Sequence, residues 1–247
     1  MKVELIHHTP LWVASKAIRK CWASEDKSDT IYNTTWADST SINNIDMQTA
    51  DKECIICGTK DRALIERIGN QNKHKSTLEH LVYNFNIDGI SRACLQELAR
   101  HRMASYSVKS TRYTLKELKD EDTFIKPISN LGFEYDIERS KQYLVLPPHA
   151  IKYDKVWQKQ VKALEELRDE LVYGKDSNDV IKYMLPEAYK TSLVMTINAR
   201  SLQNFLELRS SKHALWEIRN LARAMFNALP EDHKYLFEYC MQDKESV

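Results

Sequence analysis

The spacing of hydrophobic and polar residues predicts short strands that alternate with amphipathic helices. Helical periodicity covers residues 10–23, 60–71, 91–103, 153–174, 199–209 and 212–230. Strand-like patterns cover residues 2–7, the second part of 76–87 and the end of 185–198. Gly174 and Pro230 end two of the helices, as helix-breaking residues do. We therefore predict one α+β domain, 1–247, with a mostly antiparallel sheet packed by long helices.

Two stretches lack a clear pattern. Residues 24–60 are polar and irregular, and we predict no long element there. Residues 117–153 are mixed and charged and end near the sequence LVLPPH. We interpret 117–153 as an insertion into the single domain. In residues 10–23 the side chains expected to face inward are Trp12, Ala17 and Ile18.

Composition narrows the possible functions. Lys and Arg total 36 against 35 Asp and Glu, so the chain has no general excess of positive charge for a nucleic-acid partner. No run of about 18 apolar residues predicts a membrane helix, and the N-terminus does not resemble a signal peptide. The five irregularly spaced cysteines indicate reduced thiols. We expect a cytoplasmic protein that binds neither nucleic acid nor membrane.

Positive charge is nevertheless concentrated in one stretch, RHRMASYSVKSTRY, at residues 100–113. Four fixed cations, a histidine and several hydroxyl side chains stand there without an acid between them. Arginine and Ser or Thr hydroxyls together suit phosphate recognition. The stretch has no glycine, which excludes a phosphate-binding P-loop. We interpret it as the end of helix 91–103 followed by a loop.

The end of that predicted helix has two distinct faces. Glu97, Arg100 and His101 share one face at spacings i, i+3 and i+4, either as part of a site or as a solvated set of ion pairs. The other face has the spacing i, i+3, i+4 and i+7 of an apolar helix face, and its residues are Leu95, Leu98, Ala99 and Arg102.

A second candidate is the helical sequence NARSLQNFLELR, residues 198–209. Its apolar stripe consists of Leu202, Phe205 and Leu206. Arg209 lies on the same helical face as this stripe. Burying an arginine on an apolar face costs free energy unless an anion pairs with it. Arg209 could extend to solvent, form a salt bridge at an oligomer interface, or meet an anionic ligand. Arg200 and Asn204 lie on the opposite side and offer a second polar face.

Other candidates are weaker. His80, in LEHLVYNF, is most simply a structural hydrogen-bonding residue. Cys54 and Cys57 form a CxxC pair, but no second pair follows, so we predict no metal site and two reduced thiols. The chain also lacks GxGxxG, HExxH and GxSxG motifs.

RHRMASYSVKS resembles the signature of the flavin-dependent thymidylate synthases, which is Arg-His-Arg, seven residues and then Ser. LEH upstream and NARSLQNFLELR and HALWEIRNLA downstream follow in the family's order. The resemblance implies reductive methylation of dUMP to dTMP. Methylenetetrahydrofolate would donate the carbon, and FAD reduced by NADPH would supply the hydride. It also implies a homotetramer whose active sites lie between subunits.

The resemblance also implies residue roles. Arg209 is the expected catalytic residue, beside the uracil of dUMP. The residues implied to bind FAD are His80, Val82, Arg100, His101, Arg102, Val108, Asn198, Arg200 and Asn204. Those implied to bind dUMP are Glu97, Arg100, Lys109, Ser110, Thr111, Arg112, Lys182 and Arg209. Ser110 has no adjacent base in sequence, which favours substrate binding over a nucleophilic role.

This chain departs from the family pattern at several of these positions. Val108 stands where members often have Glu, Lys182 where an arginine is usual, and Val82 where many have a hydroxyl residue. Lysine lacks the bidentate fork of arginine. Two alternatives therefore stay open at this stage: another FAD- and nucleotide-binding oxidoreductase on the same scaffold, and a non-enzymatic nucleic-acid-binding module.

Overall fold

The main feature of the fold is a four-stranded antiparallel sheet. The computed structural model describes residues 1–32, 55–128, 132–147 and 154–242. Strands β1 to β8 span, in order, Lys2–His8, Ile31–Tyr32, Ile55–Ile56, Val82–Ser91, Ala104–Val108, Ile125–Ile128, Gly132–Tyr135 and Lys190–Asn198. Helices α1 to α10 span, in order, Leu11–Cys21, Thr59–Ile65, Arg92–Leu98, Thr111–Thr114, Lys116–Lys119, Ile137–Ser140, Asp154–Tyr173, Asn178–Ile181, Ala199–Arg209 and Trp216–Asn227.

The main sheet has the order β1-β4-β8-β5. Alternate side chains of its two central strands are buried on one face, as the two-residue period of a strand requires: Tyr83, Phe85, Ile87, Leu193, Met195 and Ile197. Helices α1, α9 and α10 pack their apolar residues into the same core. The predicted α+β domain with an antiparallel sheet is therefore confirmed.

A second hydrophobic cluster surrounds the long helix α7. Val161, Leu164 and Leu167 are fully buried there against Leu118 and Phe124. Part of this cluster comes from the stretch 117–153, which forms short helices and the β6–β7 hairpin. A bridge between Leu144 and Tyr189 joins it to the start of β8. The view that 117–153 is an insertion stays a prediction.

The helix predicted over 91–103 is too long, because α3 ends at Leu98. The residues that follow were expected to form a loop, but Ala104–Val108 forms β5 and pairs with β8 from Ala104↔Ile197 to Val108↔Leu193. Because Ala104–Val108 pairs with β8, the chain leaves the helix before the helical pattern of 91–103 ends. Arg102 consequently lies exposed in the connection rather than on an apolar helix face.

Smaller differences concern helix ends and burial. The helix predicted over 212–230 is limited to α10, and the one over 60–71 continues beyond α2 as a π-helical segment, Glu66–Gln71. In α1, Ile18 is buried as expected, whereas Trp12 and Ala17 are half-buried.

Candidate active site

A cleft of about 670 Å³ lies where α3 leads into β5 and β8 leads into α9. Its volume is in the usual range for ligand sites. Seven of the predicted site residues line it: Arg100, His101, Arg102, Asn198, Arg200, Asn204 and Arg209. The fold thus unites the two separate sequence candidates, residues 100–102 and the helix 198–209, in one place.

Arg209 is the centre of a hydrogen-bonded group in this cleft. Its Nη1 donates to Oε2 of Glu97 at 2.9 Å, and its Nη2 donates to the Glu97 carbonyl at 3.2 Å. Its Nε donates to Nε2 of His101 at 3.0 Å. The side chain is 17% exposed. The structure therefore shows an ion pair within the chain itself, which was not among the alternatives predicted for this arginine.

Glu97 also lies 3.6 Å from Nη1 of Arg100, so one carboxylate is shared by two arginines. The prediction that Glu97, Arg100 and His101 share one face of a helix is wrong, because the helix ends at Leu98. Their side chains still meet, since the turn after α3 brings Arg100 and His101 back toward Glu97 and Arg209.

His101 is held in its neutral form. The bond from Arg209 makes Nε2 an acceptor, which places the ring proton on Nδ1. Desolvation and the neighbouring charges of Arg209 and Arg100 lower its pKa to about 4. The ring also packs edge-on against Phe205, with centroids 5.0 Å apart. His101 is therefore an uncharged hydrogen-bonding group at neutral pH.

This histidine should make the protein less stable in weak acid. Its folded-state pKa of about 4 lies below the ordinary value of 6.5, so the unfolded chain binds more protons between these pH values. Stability should then fall as pH decreases from 6.5 toward 4. We expect His101→Gln, which keeps an acceptor for Arg209, to reduce this pH dependence, as measured by urea unfolding at pH 5.0 and 7.5.

A second histidine, His233, is expected to contribute a similar pH dependence of stability. It is buried, and desolvation lowers its pKa to about 4 as well, but it bonds to Tyr83 rather than to the cleft. The pH dependence that remains in His101→Gln should come largely from His233. An identical pH dependence in wild type and His101→Gln would show that His101 titrates normally.

The start of α9 forms the opposite wall. Oδ1 of Asn198 accepts a hydrogen bond of 2.8 Å from the Ser201 amide and so caps the helix. Arg200 pairs with Glu79 at 2.6 Å, and Asn204 is exposed. In all, five cationic side chains and two carboxylates line the cleft: Lys75, Arg100, Arg102, Arg200, Arg209, Glu79 and Glu207. This excess of positive charge suits an anionic ligand.

A second group of predicted residues lies at the far end of β5. The Lys109 amide donates to the Ser192 carbonyl, and Nζ of Lys109 pairs with Glu117 at 2.8 Å. Arg112 makes a two-point contact with Asp179, at 2.7 and 3.0 Å. Lys182 lies 3.6 Å from the same carboxylate. Beside them, Ser110 is the N-cap residue of the short helix α4, and Thr111 is its first residue.

The five residues of β5 separate this second group from the cleft. At about 3.3 Å per residue, Ala104 and Val108 are about 13 Å apart. The structure therefore divides the predicted dUMP residues into two sets. Glu97, Arg100 and Arg209 form one set, and residues 109–112 with Lys182 form the other.

The remaining predicted residues have mixed positions. Val82 pairs with Asn198 at the edge of the cleft, and His80 is exposed two residues earlier. Val108 pairs with Leu193 and is not among the residues lining the cleft. Cys54 lies outside the described residues. Cys57 is described and forms no disulfide with another described cysteine.

Sequence reasoning missed the acidic partners of these cations. Glu79 and Asp179 each hold a predicted ligand-binding arginine. The only signal for Glu79 was its place in the LEH sequence, and Asp179 had none. Among the described residues, no group of three or more His, Cys, Asp or Glu side chains could hold a metal ion.

Residues 4–233 match the family model described as thymidylate synthase complementing protein. A flavin-dependent thymidylate synthase from Wolinella succinogenes is 53% identical over 96% of this chain and 97% of its own length. The chain belongs to the flavin-dependent thymidylate synthase family. Another member, from Campylobacter jejuni, is 50% identical over 98% of each chain.

A solved structure from the same family gives a close structural match. Thymidylate synthase X from Helicobacter pylori, crystallised with FAD and dUMP, has a TM-score of 0.79 and 46% identity to this chain. The match covers 98% of this chain and all of the other. Among the described residues, no helix is long and apolar enough to cross a membrane.

Proposed function

We propose that this chain converts dUMP to dTMP by reductive methylation, with methylenetetrahydrofolate as carbon donor and FAD reduced by NADPH. The observation that best supports the proposal is the contact of Arg209 with both Glu97 and His101 in a positively charged cleft. The related enzyme of known structure holds FAD and dUMP. Reduced cysteines and this metabolic role suit a cytoplasmic enzyme.

The residues of the cleft fit FAD. A dinucleotide needs cations for its diphosphate and amide or hydroxyl groups for its other polar atoms. Arg100, Arg102 and Arg200 supply the charge, and Asn198 and Asn204 supply the amides. The uncharged ring of His101 adds a polar surface without further charge. When bound and reduced, FAD supplies the hydride of the reaction.

Arg209 has the capacity to bind the uracil as well. An arginine has five N–H groups, and three are engaged with Glu97 and His101. The two that remain, one on each terminal nitrogen, can donate to the uracil. A fixed positive charge at that point favours an ionised N3, which activates the ring toward the carbon donor.

In this proposal, the phosphate of dUMP binds to the second set, residues 109–112 and Lys182. Arg112 and Lys182 converge within one small region, and Ser110 precedes the amides at the start of α4. Because β5 separates this set from Arg209, a single dUMP cannot easily reach both sets in one chain. We infer that each site is completed by another copy, in a homotetramer.

Arg102 should contribute strongly to FAD binding. It is exposed on the cleft and forms no ion pair with any described residue, so its charge is available to a phosphate. We expect Arg102→Ala to raise the Kd for FAD about 10- to 100-fold, since a charge-assisted bond contributes about 1.5–3 kcal/mol. Titration of the desalted protein with FAD, followed by flavin fluorescence, measures this.

Lys162→Ala is the matched control, because Lys162 is an exposed cation on α7, away from the cleft. It should leave the Kd for FAD at the wild-type value. If FAD binding were weakened equally in both variants, the effect of Arg102→Ala would come from the lower net charge of the protein and not from a lost contact with FAD.

The function itself is tested by assaying dTMP formation from dUMP. Purified protein is incubated with FAD, NADPH and methylenetetrahydrofolate, and each component is omitted in turn. We expect dTMP only in the complete mixture, and a flavin absorption spectrum that changes when dUMP is added. NADPH oxidation that needs no dUMP and yields no dTMP would instead identify another oxidoreductase.

A further inference from the structure

The hydroxyl of Tyr106 lies beneath the connection that bears the three cleft residues Arg100, His101 and Arg102. It is 2.7 Å from the carbonyl oxygen of His101 and 3.0 Å from that of Leu98. Tyr106 is in the middle of β5, Leu98 is the last residue of α3, and His101 lies in the turn between α3 and β5. One hydroxyl therefore contacts both the end of α3 and the middle of the turn, and links them to the sheet.

The turn has few other internal bonds. Within it, the Ala99 amide donates to the Leu95 carbonyl at 2.8 Å and the His101 amide to the Leu98 carbonyl at 3.1 Å. The last carbonyls of a helix have no partner inside the helix and need one from elsewhere. Arg209 satisfies the carbonyl of Glu97, and the His101 amide donates to that of Leu98. The single proton of the Tyr106 hydroxyl goes mainly to the closer carbonyl, that of His101.

Tyr106 is itself firmly held. It pairs with Met195 of β8, and its ring packs against the main hydrophobic core. Burial raises the pKa of its phenol to about 12, so the hydroxyl keeps its proton and can donate throughout the neutral range. Ser105 and Ser107 of the same strand are exposed, since alternate strand residues face opposite sides.

We propose that Tyr106 is a positioning residue for the cleft: its hydroxyl fixes the turn 99–103 and so holds Arg100, His101 and Arg102 in their binding arrangement. The effect on ligand binding rests on the proposed function, because it assumes that these residues bind FAD. The effect on the turn does not depend on that assumption.

Tyr106→Phe removes the hydroxyl and keeps the ring. We expect amide hydrogen exchange in the segment 98–104, measured by mass spectrometry, to become about 5- to 10-fold faster. The Kd for FAD should rise by a similar factor, because the turn must be ordered again on binding.

Tyr143→Phe is the matched control. Tyr143 is also half-buried, and its hydroxyl donates to Oε1 of Glu121 at 2.7 Å in the second hydrophobic cluster. It should change neither the exchange of 98–104 nor the Kd for FAD, even if the melting temperature falls as much as in Tyr106→Phe. This comparison separates positioning from a general loss of stability.

Unchanged exchange of 98–104 in Tyr106→Phe would overturn the positioning role. Faster exchange with a wild-type Kd for FAD would overturn the link between the turn and the ligand. A wild-type protein that binds no FAD would instead refute the proposed function, and the exchange experiment would still decide whether Tyr106 holds the turn.

Discussion

Replacement of Arg209 by alanine is expected to lower kcat for dTMP formation by a factor of about 10²–10³, the range found when a charge-stabilising donor is removed from an active site. In the proposed mechanism, the variant loses the fixed cation that favours an ionised uracil. Among the described residues, Glu97 then keeps only the more distant Arg100 as an ion-pair partner. Steady-state rates with saturating FAD and dUMP measure the effect.

FAD should stay bound to Arg209→Ala, because Arg100, Arg102 and Arg200 still line the cleft. Arg209→Lys should recover only part of the rate, since lysine keeps the charge but cannot contact Glu97 and His101 together. Arg219→Ala is the control, because this arginine lies on the neighbouring helix α10 and donates to the Lys212 carbonyl. Full activity in Arg209→Ala would show that our assignment of α9 is wrong.

The local parts of this site could be predicted from the sequence. Helix α9 has a clear apolar stripe, and Leu202, Phe205 and Leu206 are fully buried as that stripe requires. Arg209 follows the stripe in the last turn of the helix. These features depend on residues that are close in sequence, so periodicity alone was sufficient.

The end of α3 could not be predicted in the same way. The sequence ELARHRM continues the helical pattern, and nothing within it marks Leu98 as the last helical residue. The boundary is fixed by the pairing of Ala104 with Ile197, which is 93 residues away along the chain. Tertiary pairing of this kind has no local signal, which is also why the importance of Tyr106 emerges only from the structure.

The ion pairs of the site show the same limit. Arg209 and Glu97 are 112 residues apart, and Arg200 and Glu79 are 121 apart. The sequence shows that Arg209 needs an anion but not which one. Glu79 has a further consequence, because a phosphate that binds Arg200 must compete with this carboxylate.

The division of the predicted dUMP residues between the two ends of β5 leads to a sharper test. Arg112→Ala damages the set near α4, and Arg209→Ala damages the set in the cleft. If each site combines one set from each of two copies, a mixed oligomer of the two variants contains some sites in which both sets are intact. We therefore expect substantial dTMP formation from the co-expressed pair, far above that of either variant alone.

The control pairs Arg209→Ala with Arg100→Ala, since both changes lie in the same set. A mixed oligomer of these two variants has one damaged residue in every cleft, whichever copy supplies the other set, so activity should stay low. Recovery in the first mixture but not in the second would require that the two sets come from different copies. Equal low activity in both mixtures, with mixed oligomers verified by differential tags, would mean that one chain supplies the whole site. The separation along β5 would then have to close when ligand binds.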